Sequence, residues 1–266
     1  MTPRAGRGVD PTVPRFVPGV LAELDDPVRR YFAHAIRDGA RLTTTVSLTM
    51  RGRIKVGTWL PFTAEQECDG RSFTWQAHIG WGTFTPLTVT DRFADGVGST
   101  QGRLFGRVTL FHSSDQDTTR STAGRTALDS VAYAPTPVLP DRAVTWHAEC
   151  PEVIVADFDL FPERPQVRVR IDEHGAVRSL WAQRWGPTGR HTFGYLPCGG
   201  VVHAQRRFGD LVVPSEITVD WRFGPNRFTP SFRADIEDLT QQLRVLGRSP
   251  AGTDLGCWMG SPGNAS

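Results

Sequence analysis

One lysine, Lys55, stands against 29 arginines in 266 residues, and only 3 methionines, 3 tyrosines and 4 cysteines accompany them. Each scarcity excludes something. A single lysine leaves one candidate for Schiff-base chemistry, and Lys55 on an alternating strand reads first as a solvated surface group. The cysteines Cys68, Cys150, Cys198 and Cys257 are too widely spaced for a C-x-x-C metal site, and in a chain of this size they give no disulfide framework. A reduced compartment is the expectation. No apolar run of about 18 residues exists to span a bilayer. The basic start, Met1 to Gly8, is followed by no apolar core of a signal peptide, so the expected location is the cytoplasm. A surplus of charge is also missing: 30 Lys+Arg meet 28 Asp+Glu, a net charge of +2. Polyanion binding draws on surplus cations, so nucleic acid is not an expected partner. The excess of arginine over lysine, whose codons are AT-rich, is the mark of a GC-rich genome.

What is present is ordinary for a globular chain, 39% hydrophobic and 22% charged, long enough for one large β domain. Residues 1–20 hold Pro3, Pro11, Pro14 and Pro18 and read as a disordered tail. Asp26 as N-cap, Pro27 at the first helical position, and Val28, Tyr31, Phe32, Ala35 and Ile36 on one stripe predict a helix that Gly39 ends. The period then becomes two. Leu42, Val46, Leu48 and Met50 alternate with polar residues, as do Phe73, Trp75, Ala77 and Ile79. Further strands are expected near 53–58, 60–68, 86–93, 100–112, 144–150, 152–161, 166–172, 176–185, 201–208, 211–222 and 228–236, with Asp69-Gly70, Asp95-Gly96 and His174-Gly175 as turns.

Two helices interrupt or follow these strands. A central one is predicted over 121–133, where Ser121 can cap and Pro135 stops it. A C-terminal one is predicted from Ile236, Leu239, Leu243 and Leu246 at helical spacing, with Gly247 as the stop. The expected fold is mainly β (α+β): an antiparallel half-barrel or closed barrel with N-terminal, central and C-terminal helices around an apolar cavity. Residues 21–247 form the single domain, and 248–266 a flexible tail.

Gly57-Thr58-Trp59-Leu60-Pro61-Phe62-Thr63-Ala64-Glu65-Gln66, Arg92-Phe93-Ala94-Asp95-Gly96, Trp181 to Gly186, Pro197-Cys198-Gly199-Gly200 and Phe208-Gly209-Asp210 with Val213-Pro214-Ser215 resemble a bacterial, actinobacterial-type family of unknown function. The likeness runs from about Pro27 to Ile236. The order of elements is also similar to the lipoprotein-carrier half-barrel, which implies a concave sheet plugged by helices around an apolar cavity. The resemblance implies no catalytic residues, and a fold does not supply a function. The segment 237–266 is longer than the family pattern and could cap the cavity.

Asp115-Gln116-Asp117-Thr118-Thr119 matches the D-x-D-x-T pattern of phosphoaspartyl transferases, yet no apolar parallel strand ends before it, so a polar surface loop is expected. There is no G-x-S-x-G, H-E-x-x-H, G-x-G-x-x-G or Walker sequence. The seven histidines show no metal spacing, so neither metal nor cofactor is expected. Glu65 and Glu67, two apart, share the face of Trp59 and Thr63. If that face meets an apolar cavity, a desolvated glutamate becomes a usable acid or base; solvation or pairing with arginine is the plainer reading. His147 shares a strand face with Glu149, and either a cavity or a wet face suits them. Asp157 with Asp159, and Asp220 near Arg222, read as solvated or paired.

The tryptophans Trp59, Trp75, Trp146, Trp181, Trp185 and Trp221 fall on or beside strands and could line a cavity for a hydrophobic small molecule. The arginines of Arg168, Arg170, Arg178 and Arg184 alternate with apolar residues and are expected on the outer face. Together these readings point to a protein that binds a hydrophobic small molecule. On that reading it acts as a cofactor-independent cyclase or isomerase in bacterial secondary metabolism, with Glu65, Glu67 and His147 moving a proton and the six tryptophans holding substrate. The alternative is a carrier with no chemistry, and dimerisation through a sheet edge is left open.

Overall fold

The computed structural model describes residues 13–140, 144–190, 192–224 and 228–243. Among these residues thirteen strands form one antiparallel sheet. From β1 (Thr45–Val56) the chain meanders outward through β2 (Thr58–Cys68), β3 (Phe73–Trp81), β4 (Phe84–Ala94) and β5 (Val97–Leu104) to the edge strand β6 (Val108–Ser113). It then crosses in helix α2 (Gln116–Tyr133) to the far edge, β7 (Val144–Cys150). From there it meanders back through β8 (Val153–Phe158), β9 (Gln166–Ile171), β10 (Val177–Pro187), β11 (Phe193–Phe208) and β12 (Leu211–Asp220) to β13 (Phe232–Gln242). β13 pairs with β1, Leu48 opposite Leu239, and joins the two meanders. At 1.5 Å per residue the 18 residues of α2 make it about 27 Å long.

The sheet is open, with β6 and β7 at its two ends, so the closed-barrel alternative does not hold. Helix α2 lies against it, touching β2, β4, β5, β9, β10 and β12. The helix is buried along its length through Thr119, Ala123, Ala127, Leu128 and Val131, and small residues permit the approach. A Cβ on Gly98 of β5 would sit 1.9 Å from the Thr122 hydroxyl, and one on Gly124 would meet the Arg184 side chain at 2.9 Å. Buried threonines keep their hydroxyls satisfied by donating back along the helix, Thr122 to the Thr118 carbonyl at 2.8 Å and Thr126 to that of Thr122 at 2.9 Å.

Several boundaries differ from the sequence reading for physical reasons. Asp25, not Asp26, stands at the N-cap position of helix α1 (Asp26–Ala35), where its carboxylate accepts from the Ala148 N–H rather than capping the helix, and Asp26 inside the first turn accepts from Arg29 and Arg30. The helix ends at Ala35, before Gly39, because Ile36 turns extended to bridge to Leu211. The proline-rich stretch expected as a tail reaches the domain: Phe16 is fully buried and exchanges backbone hydrogen bonds with Gly39 and Ala40. The tail expected at 248–266 lies outside the described residues.

The predicted C-terminal helix is strand β13 as far as Gln242, and Leu246 and Gly247 of that expectation lie outside the described residues. A bulge where β13 meets Thr49 and Met50 of β1 puts Ile236 and Leu239 on the same face three residues apart, which mimics a helical repeat. The strand expected at 100–112 is two strands joined at Phe105 to Arg107.

The central helix starts at Gln116, five residues before Ser121. Its N-cap is Asp115, whose carboxylate accepts the Thr118 N–H at 2.7 Å, so the D-x-D-x-T sequence is a helix start rather than a loop. Asp115→Ala is expected to cost about 0.5–2 kcal/mol in urea denaturation at neutral pH. The bond from the Thr118 N–H holds the Asp115 carboxyl below its ordinary value. Its stabilisation is therefore present above the ordinary aspartate pKa and lost as pH falls through the lowered one, where the variant and the natural chain should converge.

Candidate functional site

Between the sheet and α2 lies a cavity of about 400 Å³. That volume is in the range of small-molecule sites, about 300–1,000 Å³. Its apolar wall comes from Met50, Leu128, Leu180, Ile217, Val219 and Phe232. Its polar wall is set by strand register. Gln66 lies opposite Trp75, Trp75 opposite Asp91, and Asp91 opposite Thr100, so four strands place these side chains in one row on the cavity. Thr100 donates to Asp91 at 2.5 Å.

Arg125 of α2 projects onto this row. It is bonded to Asp91, reaches Asp129 one turn along the helix at 3.2 Å, and holds its guanidinium 4.6 Å from the centre of the Trp75 ring. Burial acts against the Arg125 charge, but Asp129 and Asp91 outweigh it and raise the group above its ordinary value. Burial raises the Asp129 carboxyl above the usual aspartate range, and Arg125 pulls it only part of the way back.

Arg184 of β10 is differently placed. It donates to the Ser121 carbonyl at 2.9 Å and the Ser121 hydroxyl at 3.3 Å, reaches the soft Cys198 sulfur at 3.9 Å, and stacks 4.1 Å over Trp221. Among the described residues no carboxylate oxygen lies within 4 Å of it. Burial draws its guanidinium below the ordinary value. A guanidinium has five N–H donors, so part of this one is unspent. The Trp75 indole N–H is buried without a hydrogen-bond acceptor among the described residues, and the Gln66 amide nitrogen has only the weakly accepting Cys68 sulfur. Lys55 reaches the same cavity from the end of β1, so its charged lining is Lys55, Arg125 and Arg184 against Asp91 and Asp129.

Of the residues expected from sequence, Trp75 and Trp221 line this cavity. Glu65 and Glu67 do share a face with Thr63, but it is the outer one, where they border a separate groove with Thr74 and Asp238. The reason is phase: Phe62, Ala64, Gln66 and Cys68 take the inner positions of β2. His147 is half exposed on the edge strand β7 and pairs with Asp157 at 3.2 Å. None of the three proton-transfer candidates meets the cavity.

Trp146 is core, stacked on Tyr31 and donating to the Val138 carbonyl at 2.8 Å. Trp59 faces Arg233, and Trp181 stacks on Phe223. Trp185 donates to Asp117 at 2.8 Å and lies under Arg120, which pairs with the buried Glu163 at 2.5 Å. Arg184, expected outside with Arg178, is turned inward by a register shift between Val177 and Ser179 that places Leu180, Ala182 and Arg184 on the inner face.

The missed strand residues carried one common signal, a polar side chain in the apolar phase of a strand, whereas Arg125 and Asp129 lie on helix α2 and carried none. Gln66 follows Phe62 and Ala64; Asp91 sits between Val89 and Phe93; Arg184 follows Leu180 and Ala182.

Residues 22–240 match the model of a Family of unknown function (DUF6920), and the chain belongs to that family. No curated protein matches it. Among solved structures it is similar to a LolA superfamily protein from Nitrosomonas europaea, with 9% identity over 83% of this chain and 93% of that one at a TM-score of 0.44. A candidate outer membrane lipoprotein-sorting protein domain from Vibrio parahaemolyticus gives 8% identity, 76% and 86% coverage and 0.39. A DUF1329 family protein from Desulfovibrio piger gives 8%, 84% and 92%, and 0.37.

Proposed function

We propose that this family member binds, without transforming, a largely apolar molecule that carries one acidic group. The observation that supports the reading is the cavity whose apolar wall faces Arg184, a partly buried cation with no carboxylate oxygen within 4 Å among the described residues, Asp129 acting on it only from farther off. Apolar contact favours burial of a chain or ring at about 25 cal/mol per Å². A cation withdrawn from water with N–H groups to spare is a cost that an anionic oxygen would relieve.

Binding fits the cavity better than cyclisation or isomerisation. A proton-transfer catalyst needs a group free to exchange a proton with its substrate. Here Asp91 and Asp129 are both held by Arg125. Burial raises the Tyr133 phenol and the Cys198 thiol, which keeps both protonated and the sulfur a poor nucleophile. Organic extraction of the purified, denatured protein followed by mass spectrometry is expected to release an apolar acid. Protein that releases no apolar compound and takes up none when supplied would end this reading.

A further inference from the structure

The six-strand meander β1 to β6 is polarised in charge and in apolar exposure. Its three hairpins β1–β2, β3–β4 and β5–β6 turn at one end of the sheet, and β2–β3 and β4–β5 turn at the other. Across the three hairpins, residues 51–62, 79–90 and 101–113 contain no aspartate or glutamate, but they carry Arg51, Arg53, Lys55, Arg103 and Arg107. The opposite turns carry Asp69 and Asp95. Arg51 is paired with Glu237. Arg53, Lys55, Arg103 and Arg107 are exposed, and no ion pair engages them among the described residues.

The same three tips hold Val56, Trp81, Phe84, Phe105 and Val108, each more than half exposed. Phe84 and Phe105 come from different hairpins, yet their rings lie 6.2 Å apart, and the Phe105 N–H donates to the Pro86 carbonyl. Phe105 takes φ 51° in its turn, a conformation that favours glycine and penalises a bulky side chain. A large ring is thus kept, exposed, where the backbone disfavours one. A row of exposed aromatics beside unpaired cations on an acid-free rim matches one surface chemistry, the anionic lipid interface: rings settle at headgroup depth and cations meet phosphates.

We propose that the protein docks on an anionic membrane surface through these three hairpin tips. The cavity wall runs up to the same end through Ile54, Lys55, Ser231 and Phe232, so docking would bring the cavity to the bilayer. The docking itself does not depend on what the cavity holds.

The test is co-sedimentation of the full chain with phosphatidylcholine vesicles, with and without about one-third phosphatidylglycerol. The anionic vesicles should bind it at least about tenfold more tightly than neutral ones, and high salt should weaken the binding. The triple variant Trp81→Ser, Phe84→Ser, Phe105→Gly should lose that binding while its thermal unfolding is unchanged or raised, because glycine suits the Phe105 turn. Arg103→Gln with Arg107→Gln should weaken anionic binding alone and is read independently of the aromatics. Equal binding to both vesicles, no binding to either, or an unchanged triple variant would overturn the proposal. So would a concentration-dependent dimer in sedimentation velocity that the same triple variant abolishes, since the tips would then be covered by a second copy.

Discussion

Arg125→Met is expected to lower the unfolding free energy by about 3–5 kcal/mol, the range for stripping the partner from a buried ion pair. Methionine keeps most of the stem's volume, so the loss reflects Asp91 and Asp129 left facing the cavity without their cation. Two controls isolate that cause. Adding Asp91→Asn and Asp129→Asn to the variant should recover much of the loss, which a packing defect would not do. The deficit should also narrow as pH falls. Burial raises the Asp129 carboxyl even with Arg125 present. A carboxyl raised in the folded state contributes stability when protonated and loses it as pH rises through its folded pKa, so the variant is weakest at neutral pH. Urea denaturation of both proteins across this range reads the effect.

Arg184→Met carries the second large effect, of opposite kind. This guanidinium has no carboxylate oxygen within 4 Å among the described residues, and the pull of Asp129 from farther off is offset by repulsion from Arg125, so replacing it with an apolar side chain should leave stability unchanged or raise it. Binding should suffer instead. A hydrogen bond to a charged partner contributes about 1.5–3 kcal/mol, so decanoate affinity should fall by roughly ten- to a hundredfold. Decanol, with the same chain and no charge, should bind the variant and the natural protein alike. Two arginines in one cavity thus divide the work, Arg125 holding the fold and Arg184 awaiting a ligand. Loss of stability in Arg184→Met, or equal loss of acid and alcohol, would contradict that division.

The sequence made the scaffold legible where a period was clean. The stripe Val28, Tyr31, Phe32 and Ala35 is buried in α1 as its spacing implied, and Phe73, Trp75, Ala77 and Ile79 occupy the inner face of β3. Bulges defeated the reading elsewhere. One in β13 made a strand look helical, and the shift near Val177 put Arg184 on the opposite face from Arg178.

The site was less legible because register assembles it. Gln66, Trp75, Asp91 and Thr100 are scattered along the chain and meet only when four strands align. Glu65, Glu67 and His147 lie on wet faces, where a polar side chain is ordinary. The informative residues were the polar ones at inner positions, where an unpaired group is expensive and its presence needs a reason.

Calorimetric titration of the full chain with decanoate and with decanol is the most direct test of a cavity that takes an apolar acid. Saturable one-to-one binding of both is expected, with the acid at least about tenfold tighter, a margin of about 1.4 kcal/mol. An alcohol that binds as tightly as the acid would contradict the role given to Arg184, and the absence of binding by either would contradict the cavity's function itself.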